Sequence, residues 1–177
     1  MKKALLPILL VSAILLTACG TKNTPAPAQD YAPAGSYAKG ADLSWLTEME
    51  RDGILFYDTA GTASECMSML RGIGMNSVRL RVWVNHSTGW CNPDEVLTKA
   101  IRARDLKLRV MVDFHYSDYF ADPAKQNPPA AWQQMDIDSL ETAVRQHTCD
   151  VLQMMADNAI RVEWVQIGNE TRNGMLW

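Results

Sequence analysis

The sequence has no run of basic residues, no glycine-rich phosphate loop, and no cysteines or histidines at metal-ligand spacing. Each absence closes off a class of function. Without a basic run, and with a formal net charge of -3, no nucleic-acid partner is expected. Without a Gly-rich turn after the first strand, a nucleotide-binding, doubly wound sheet loses its main support. The cysteines are Cys19, Cys66, Cys91 and Cys149, and their spacing fits no zinc motif, so neither metal nor cofactor is expected. Asp118 and Asp122 alone do not define a calcium loop, and calcium is considered only for loops beyond Trp177.

The one apolar run, Ala4 to Leu16, follows Lys2 and Lys3 and is short for a bilayer span, as in a signal peptide. Leu16-Thr17-Ala18-Cys19 resembles a bacterial lipobox. That resemblance makes residues 1–18 a lipoprotein signal peptide and Cys19 a lipidated mature N-terminus, anchored to the membrane rather than threaded through it. The expected address is the bacterial cell envelope, at the outer membrane or cell surface. Residues 19–37, with Pro25, Pro27 and Pro33 among small polar residues, read as a tether. Beyond Cys19 the cysteine count is odd, which leaves at least one thiol unpaired within the chain; a Cys66–Cys91 bridge is one arrangement.

Residues 38–177 alternate strand and helix patterns. Lys39–Trp45 is a short strand, Leu46–Thr59 holds a helical turn broken by Gly53, and Ile54–Tyr57 suits a small extra strand. Thr62–Leu70 is an amphipathic helix stopped by Gly72 and Gly74. In Asn76–Val84, Val78, Leu80 and Val82 alternate with Arg79, Arg81 and Trp83, a period of two. Pro93–Leu106 is a helix, with Pro and acids at its start and bases later. Leu108–Phe114 is a buried strand, Asp138–Ala159 a long helix and Val162–Gly168 a fourth strand. Short turns lead from helix to strand, and long polar-aromatic loops from strand to helix. That asymmetry predicts the first four βα units of a (β/α)8 barrel, with chemistry at the strands' carboxyl ends; a doubly wound open sheet is the runner-up.

Those ends gather Asp42 and Trp45; Arg79, Arg81, Trp83 and His86; Asp113, His115 and Tyr116; and Asn169 and Glu170. Aromatic faces with fixed polar groups suit a sugar cleft. A carboxyl held among apolar walls has its pKa raised, so Glu170 is the leading acid; the position equally suits a helix cap or an ion pair. Two arginines on one strand face need carboxylate partners. One is expected to pair structurally with Asp42 or Asp113, the other to orient a catalytic carboxylate. His86 and His147 are expected on a loop and on an exposed helix face. Trp90 and Trp132 suit sugar stacking, Trp132 equally loop packing.

Gly40-Ala41-Asp42-Leu43-Ser44-Trp45, Arg79-Leu80-Arg81-Val82-Trp83-Val84-Asn85, Asp113-Phe114-His115-Tyr116-Ser117-Asp118, Pro129-Ala130-Ala131-Trp132 and Val165-Gln166-Ile167-Gly168-Asn169-Glu170-Thr171 together resemble glycoside hydrolase family 53, the arabinogalactan endo-β-1,4-galactanases. The resemblance implies an endo-acting, retaining hydrolase of β-1,4-galactan, the pectin side chain. It makes Glu170 the acid/base and Asn169 the residue bonding the sugar 2-hydroxyl. His115, Arg79, Arg81, Asp42, Tyr116 and Trp83 fall around substrate or nucleophile. Phe120 stands where the family commonly has Trp. The family nucleophile is a Glu closing the seventh strand, so these residues are expected to be an N-terminal fragment, truncated after about four units and inactive alone. A non-catalytic galactan-binding lipoprotein is the alternative, and a related mannanase or cellulase the third reading.

Overall fold

The computed structural model describes residues 36–177. The expected signal peptide, the lipidated Cys19 and the tether up to residue 35 lie outside the described residues. The chain runs β1 (Gly40–Asp42), α1 (Leu46–Arg51), a hairpin of β2 (Phe56–Tyr57) and β3 (Ala63–Ser64), α2 (Cys66–Gly72), β4 (Ser77–Val82), α3 (Pro93–Asp105), β5 (Arg109–Phe114), a 3₁₀ turn (Ala130–Trp132), α4 (Ile137–Asp157) and β6 (Val162–Ile167).

Local chemistry sets the boundaries. The Glu65 carboxylate accepts the N–H groups of Met67 and Ser68, so α2 begins at Cys66, later than the expected Thr62. The residues before it pair as β3 against β2, and Asp58 closes the hairpin by accepting the N–H groups of Ala60 and Thr62. Asp136 caps α4 through the Ser139 N–H. Pro93 opens α3, acids fill its first turn and Arg102 and Arg104 its last, matching the helix dipole. After α3 the chain turns through Lys107 at φ 57°, a left-handed position more often held by glycine.

β1, β4, β5 and β6 form one parallel sheet in that order. Sequential order is that of a barrel wall; a doubly wound sheet reverses at a switch point. On the outer face Val78, Leu80, Val82, Val110, Val112 and Phe114 are buried in one core with Val96, Ala100 and Ala103 of α3 and Val151 and Met155 of α4. The inner face carries in-register rows, Asp42–Arg79–Met111–Trp164 and, nearer the carboxyl ends, Arg81–Asp113–Gln166. A register shift beside Val110/Met111 leaves Glu163 as an extra residue in β6. β1 approaches β4 closely: a Cβ on Gly40 would sit 2.5 Å from the Ser77 carbonyl oxygen. At the amino ends of the strands, buried Arg109 donates to the carbonyls of Ser36 and Tyr37 and to Asn76.

Candidate functional site

The carboxyl ends of β1, β4 and β6, with the loop after β5, border a concavity of about 420 Å³. It is lined by Asp42, Arg79, Arg81, His115, Asn169 and Glu170, and also by Trp45, Met49 and Phe120.

Arg79 is the hub. It pairs with Asp42 and, at 2.5 Å, with Asp113, and donates to Asn169 Oδ1 at 3.0 Å. Asp113 is fully buried, and its Oδ2 also meets His115 Nε2 at 3.0 Å. His115 Nδ1 accepts the Ala121 N–H at 3.0 Å, so the proton belongs on Nε2, which donates to Asp113. Both ring nitrogens are thereby used inside the protein. His115 holds Asp113 and the following loop. Burial alone would raise the Asp42 carboxyl. The Ser44 hydroxyl and N–H and the Arg79 guanidinium outweigh it and hold it below the usual carboxylate range.

Arg81 differs. It is 4% exposed and has no carboxylate at ion-pair distance among the described residues. Its guanidinium carbon lies 4.2 Å from the Phe120 ring centroid, 4.7 Å from Trp83 and 5.4 Å from Trp45, a cation held by aromatic faces. Its other support is Cys91 Sγ, 3.3 Å from Nη2. Of the two arginines, Arg79 is therefore neutralised within the protein, and Arg81 brings an uncompensated charge to the same wall.

Asn169 is 8% exposed. Its Oδ1 accepts from Arg79 and Gln166, and its Nδ2 donates to the Ala121 carbonyl, which leaves one Nδ2 proton. Buried Gln126 donates to the Asn169 carbonyl and fixes its backbone. Gln166 was legible at the end of its strand and donates to Gly168 and Asn169 nearby, whereas the role of Gln126 reaches across the chain to Asn169. Glu170 follows at φ 51° and is exposed, not enclosed by apolar walls as expected.

Other expected residues lie elsewhere. Tyr116 is 1% exposed, stacks on Phe114 and bonds Thr148 of α4 through its hydroxyl, so it belongs to the core between sheet and helix. Two residues beyond Phe114, it stays on the same helix-facing side of the sheet. His147, expected on an exposed face, packs edge-on against Phe114, Tyr116 and Trp132 with Nε2 buried and unpartnered. Trp132, 8% exposed, packs rather than lines the site. Trp83, 3% exposed, borders a neighbouring groove with His86, Tyr119 and Trp90. Asp118 cross-links loops by accepting the N–H groups of Asn85 and Ala130. Cys66 and Cys91 are free thiols, not a bridge, and burial pushes both up, away from reactivity.

The model of a family described as glycosyl hydrolase family 53 matches residues 38–177. A probable arabinogalactan endo-beta-1,4-galactanase A of Neosartorya fischeri is 42% identical over 139 residues, covering 78% of this chain and 39% of that protein. An endo-beta-1,4-galactanase of Bacillus subtilis is 36% identical over 147 residues, 78% of this chain and 34% of its own length. A structure from a study of two fungal beta-1,4-galactanases superposes with a TM-score of 0.76 at 41% identity, covering 79% of this chain and 42% of that one. The chain thus spans well under half the length of the relatives it matches.

Proposed function

The chain belongs to glycosyl hydrolase family 53, and from that membership we propose that its four βα units supply the acid/base half of an endo-β-1,4-galactanase, with Glu170 as proton donor. The observation carrying this reading is the meeting of Glu170, Asn169, Arg79, Arg81 and His115 on one concavity, from β4, β6 and the loop after β5.

A glycosidic oxygen leaves poorly without a proton, and a carboxyl beside it supplies one. Glu170 stands exposed next to Trp45, Met49 and Phe120. A bound sugar displaces water there and brings its glycosidic oxygen beside the carboxyl. The Nδ2 proton of Asn169 that is not used within the protein is assigned to the 2-hydroxyl of the bound sugar. Arg79, Asp113 and His115 hold that amide in place.

Retention needs a second carboxylate about 5–5.5 Å from the first. Asp42 and Asp113 are both committed to Arg79, and Asp113 has no exposure, so neither is free to attack. The attacking group is therefore assigned to residues outside those described, and a carboxylate entering here meets the unpaired charge of Arg81. The same observation favours a second reading for these 177 residues by themselves: they bind galactan without cleaving it. We further propose that lipidated Cys19 anchors the protein in a bacterial envelope, tested by mass spectrometry of the mature N-terminus.

A fusion tests the activity: residues 38–177 replace the matching 139-residue segment of the Neosartorya fischeri relative. The fusion is expected to release oligosaccharides from β-1,4-galactan and not from mannan or cellulose, and Glu170→Gln to lower the rate by about 10²–10⁴-fold. A Glu170→Gln fusion as fast as its parent would overturn the assignment.

A further inference from the structure

Arg81 lines the Glu170 concavity and is also joined to a buried polar cluster made by residues after β1, before α3 and on α3. Its Nη2 donates to Cys91 Sγ at 3.3 Å, and the thiol in turn lies 3.5 Å from the Ser44 carbonyl oxygen. The same carbonyl accepts from Lys99 Nζ at 2.9 Å, and Lys99, fully buried, pairs with Glu95 at 2.5 Å. Glu95 also accepts the Cys91 N–H at 2.8 Å and the Thr47 hydroxyl. We propose that Cys91, clamped by the Lys99–Glu95 pair of α3, is a positioning residue for Arg81 in the galactanase reaction, a role that rests on the reading of the site given above.

Three features set this cluster apart from ordinary packing. Cys91 holds φ 56°, a conformation that is costly for a residue with a side chain, yet it carries one there. Its backbone is fixed on both sides, the N–H by Glu95 and the carbonyl by the Trp83 N–H at 2.8 Å. Next, the Lys99–Glu95 pair brings two charges inside, with Lys99 fully buried and the Glu95 side chain 16% exposed. Desolvation offsets much of such a pair's attraction, so stability alone explains it poorly. Last, the clamp reaches both arginines. Ser44 Oγ accepts the Arg81 N–H at 2.8 Å, and the Ser44 N–H donates at 2.9 Å to Asp42, the partner of Arg79. The kind of support matters as well. Burial keeps the Cys91 thiol protonated, so it holds the guanidinium without cancelling its charge. That charge stays available to an incoming carboxylate, whereas a carboxylate at position 91 would hold Arg81 and neutralise it.

The test uses the fusion of residues 38–177 described above, with kcat, KM and Tm measured on β-1,4-galactan. Cys91→Ala is expected to lower kcat by about 10–100-fold and to leave KM within about twofold of the parent. Cys91→Ser restores a neutral acceptor for Arg81 and should recover most of that loss. Cys91→Asp should lose as much as Cys91→Ala, because it neutralises Arg81. Glu95→Leu combined with Lys99→Met removes the clamp without stranding a charge, and should lower kcat as Cys91→Ala does while Tm stays near the parent's. Parental kcat in Cys91→Ala overturns the positioning role, and so do equal losses in Cys91→Ala and Cys91→Ser, which would leave Cys91 filling space. Full activity in Cys91→Asp overturns the need for a neutral support. Parental kcat in the double variant confines Lys99 and Glu95 to stability and overturns the clamp. An inactive parent fusion sinks the galactanase reading of the main site, and the positioning role with it.

Discussion

At the scale of the residue, Asp113 decides the inner geometry. It has no exposure, and its Oδ2 serves both Arg79 and His115. Removing one member of a buried pair leaves the other charge stranded, which costs roughly 3–5 kcal/mol. Arg79 is 29% exposed and keeps Asp42, so Asp113→Ala is expected near the lower end, roughly 3 kcal/mol by urea unfolding. Asp42→Ala, with Asp42 at 38% exposure, should cost about 1 kcal/mol or less. His147 gives a pH signature. Burial among Phe114, Tyr116 and Trp132 lowers its pKa below the ordinary value of 6.5. The folded state thus binds that proton less readily than the unfolded chain. Stability from this group is full well above 6.5 and declines as pH falls below 6.5 towards the folded value. Thermal unfolding at pH 7.5 and pH 5 should show a smaller acid loss in His147→Leu than in the parent, and equal losses would contradict the assignment.

At the scale of the element, the tight returns from helix to strand hold strain that substitution can relieve. Lys107 sits at φ 57° just after α3, and its turn is closed by the Leu108 N–H donating to the Ala103 carbonyl. Glycine takes that conformation freely, so Lys107→Gly is expected to raise stability by about 0.5–1 kcal/mol, read as an upward shift in Tm. Leu80→Ala, at a fully buried position of β4, should lose about 2–5 kcal/mol. The alternation that makes Leu80 core is written in the chain: Val78, Leu80 and Val82 face the helices while Arg79 and Arg81 face inward, as periodicity alone predicts. Strand order and the spans of α3 and α4 were legible for the same reason. Asp42 and Asp113 were legible as carboxylate partners for one arginine, and Arg79 takes both; that Cys91 and aromatic rings hold Arg81 depends on tertiary placement alone. Tyr116 follows Phe114 by two residues, so alternation itself carries it to the helix-facing side, and the rim position implied by the family pattern was the part that failed. His147 was misplaced although the spacing of Val144, Val151 and Met155 marks the stripe on which it falls.

At the scale of the whole molecule, the four-stranded sheet has β1 and β6 as its outer strands, each paired on one side among the described residues. Val165 and Ile167, in register with the core residues Val112 and Phe114, are 40% and 55% exposed. Unpaired strand edges and bare apolar positions favour self-association. The 177-residue chain is expected to show a concentration-dependent rise in mass by light scattering, whereas the fusion that closes the sheet stays monomeric. The rim residues, by contrast, are held by bonds within these units: Arg79 through Asp42, Asp113 and Asn169, and His115 through Ala121. The rim geometry is thus set by contacts among the described residues themselves.

The role of Glu170 as proton donor is tested most directly by leaving-group dependence. In the fusion, Glu170→Gln is to be compared with its parent on β-1,4-galactan and on an aryl β-galactoside whose phenolate departs unaided. A proton donor predicts a loss of about 10²–10⁴-fold on the polysaccharide and a far smaller loss in first-turnover release of phenolate from the aryl substrate, a step that precedes base catalysis by the same carboxyl. Equal losses on both would show that Glu170 positions sugar and donates no proton.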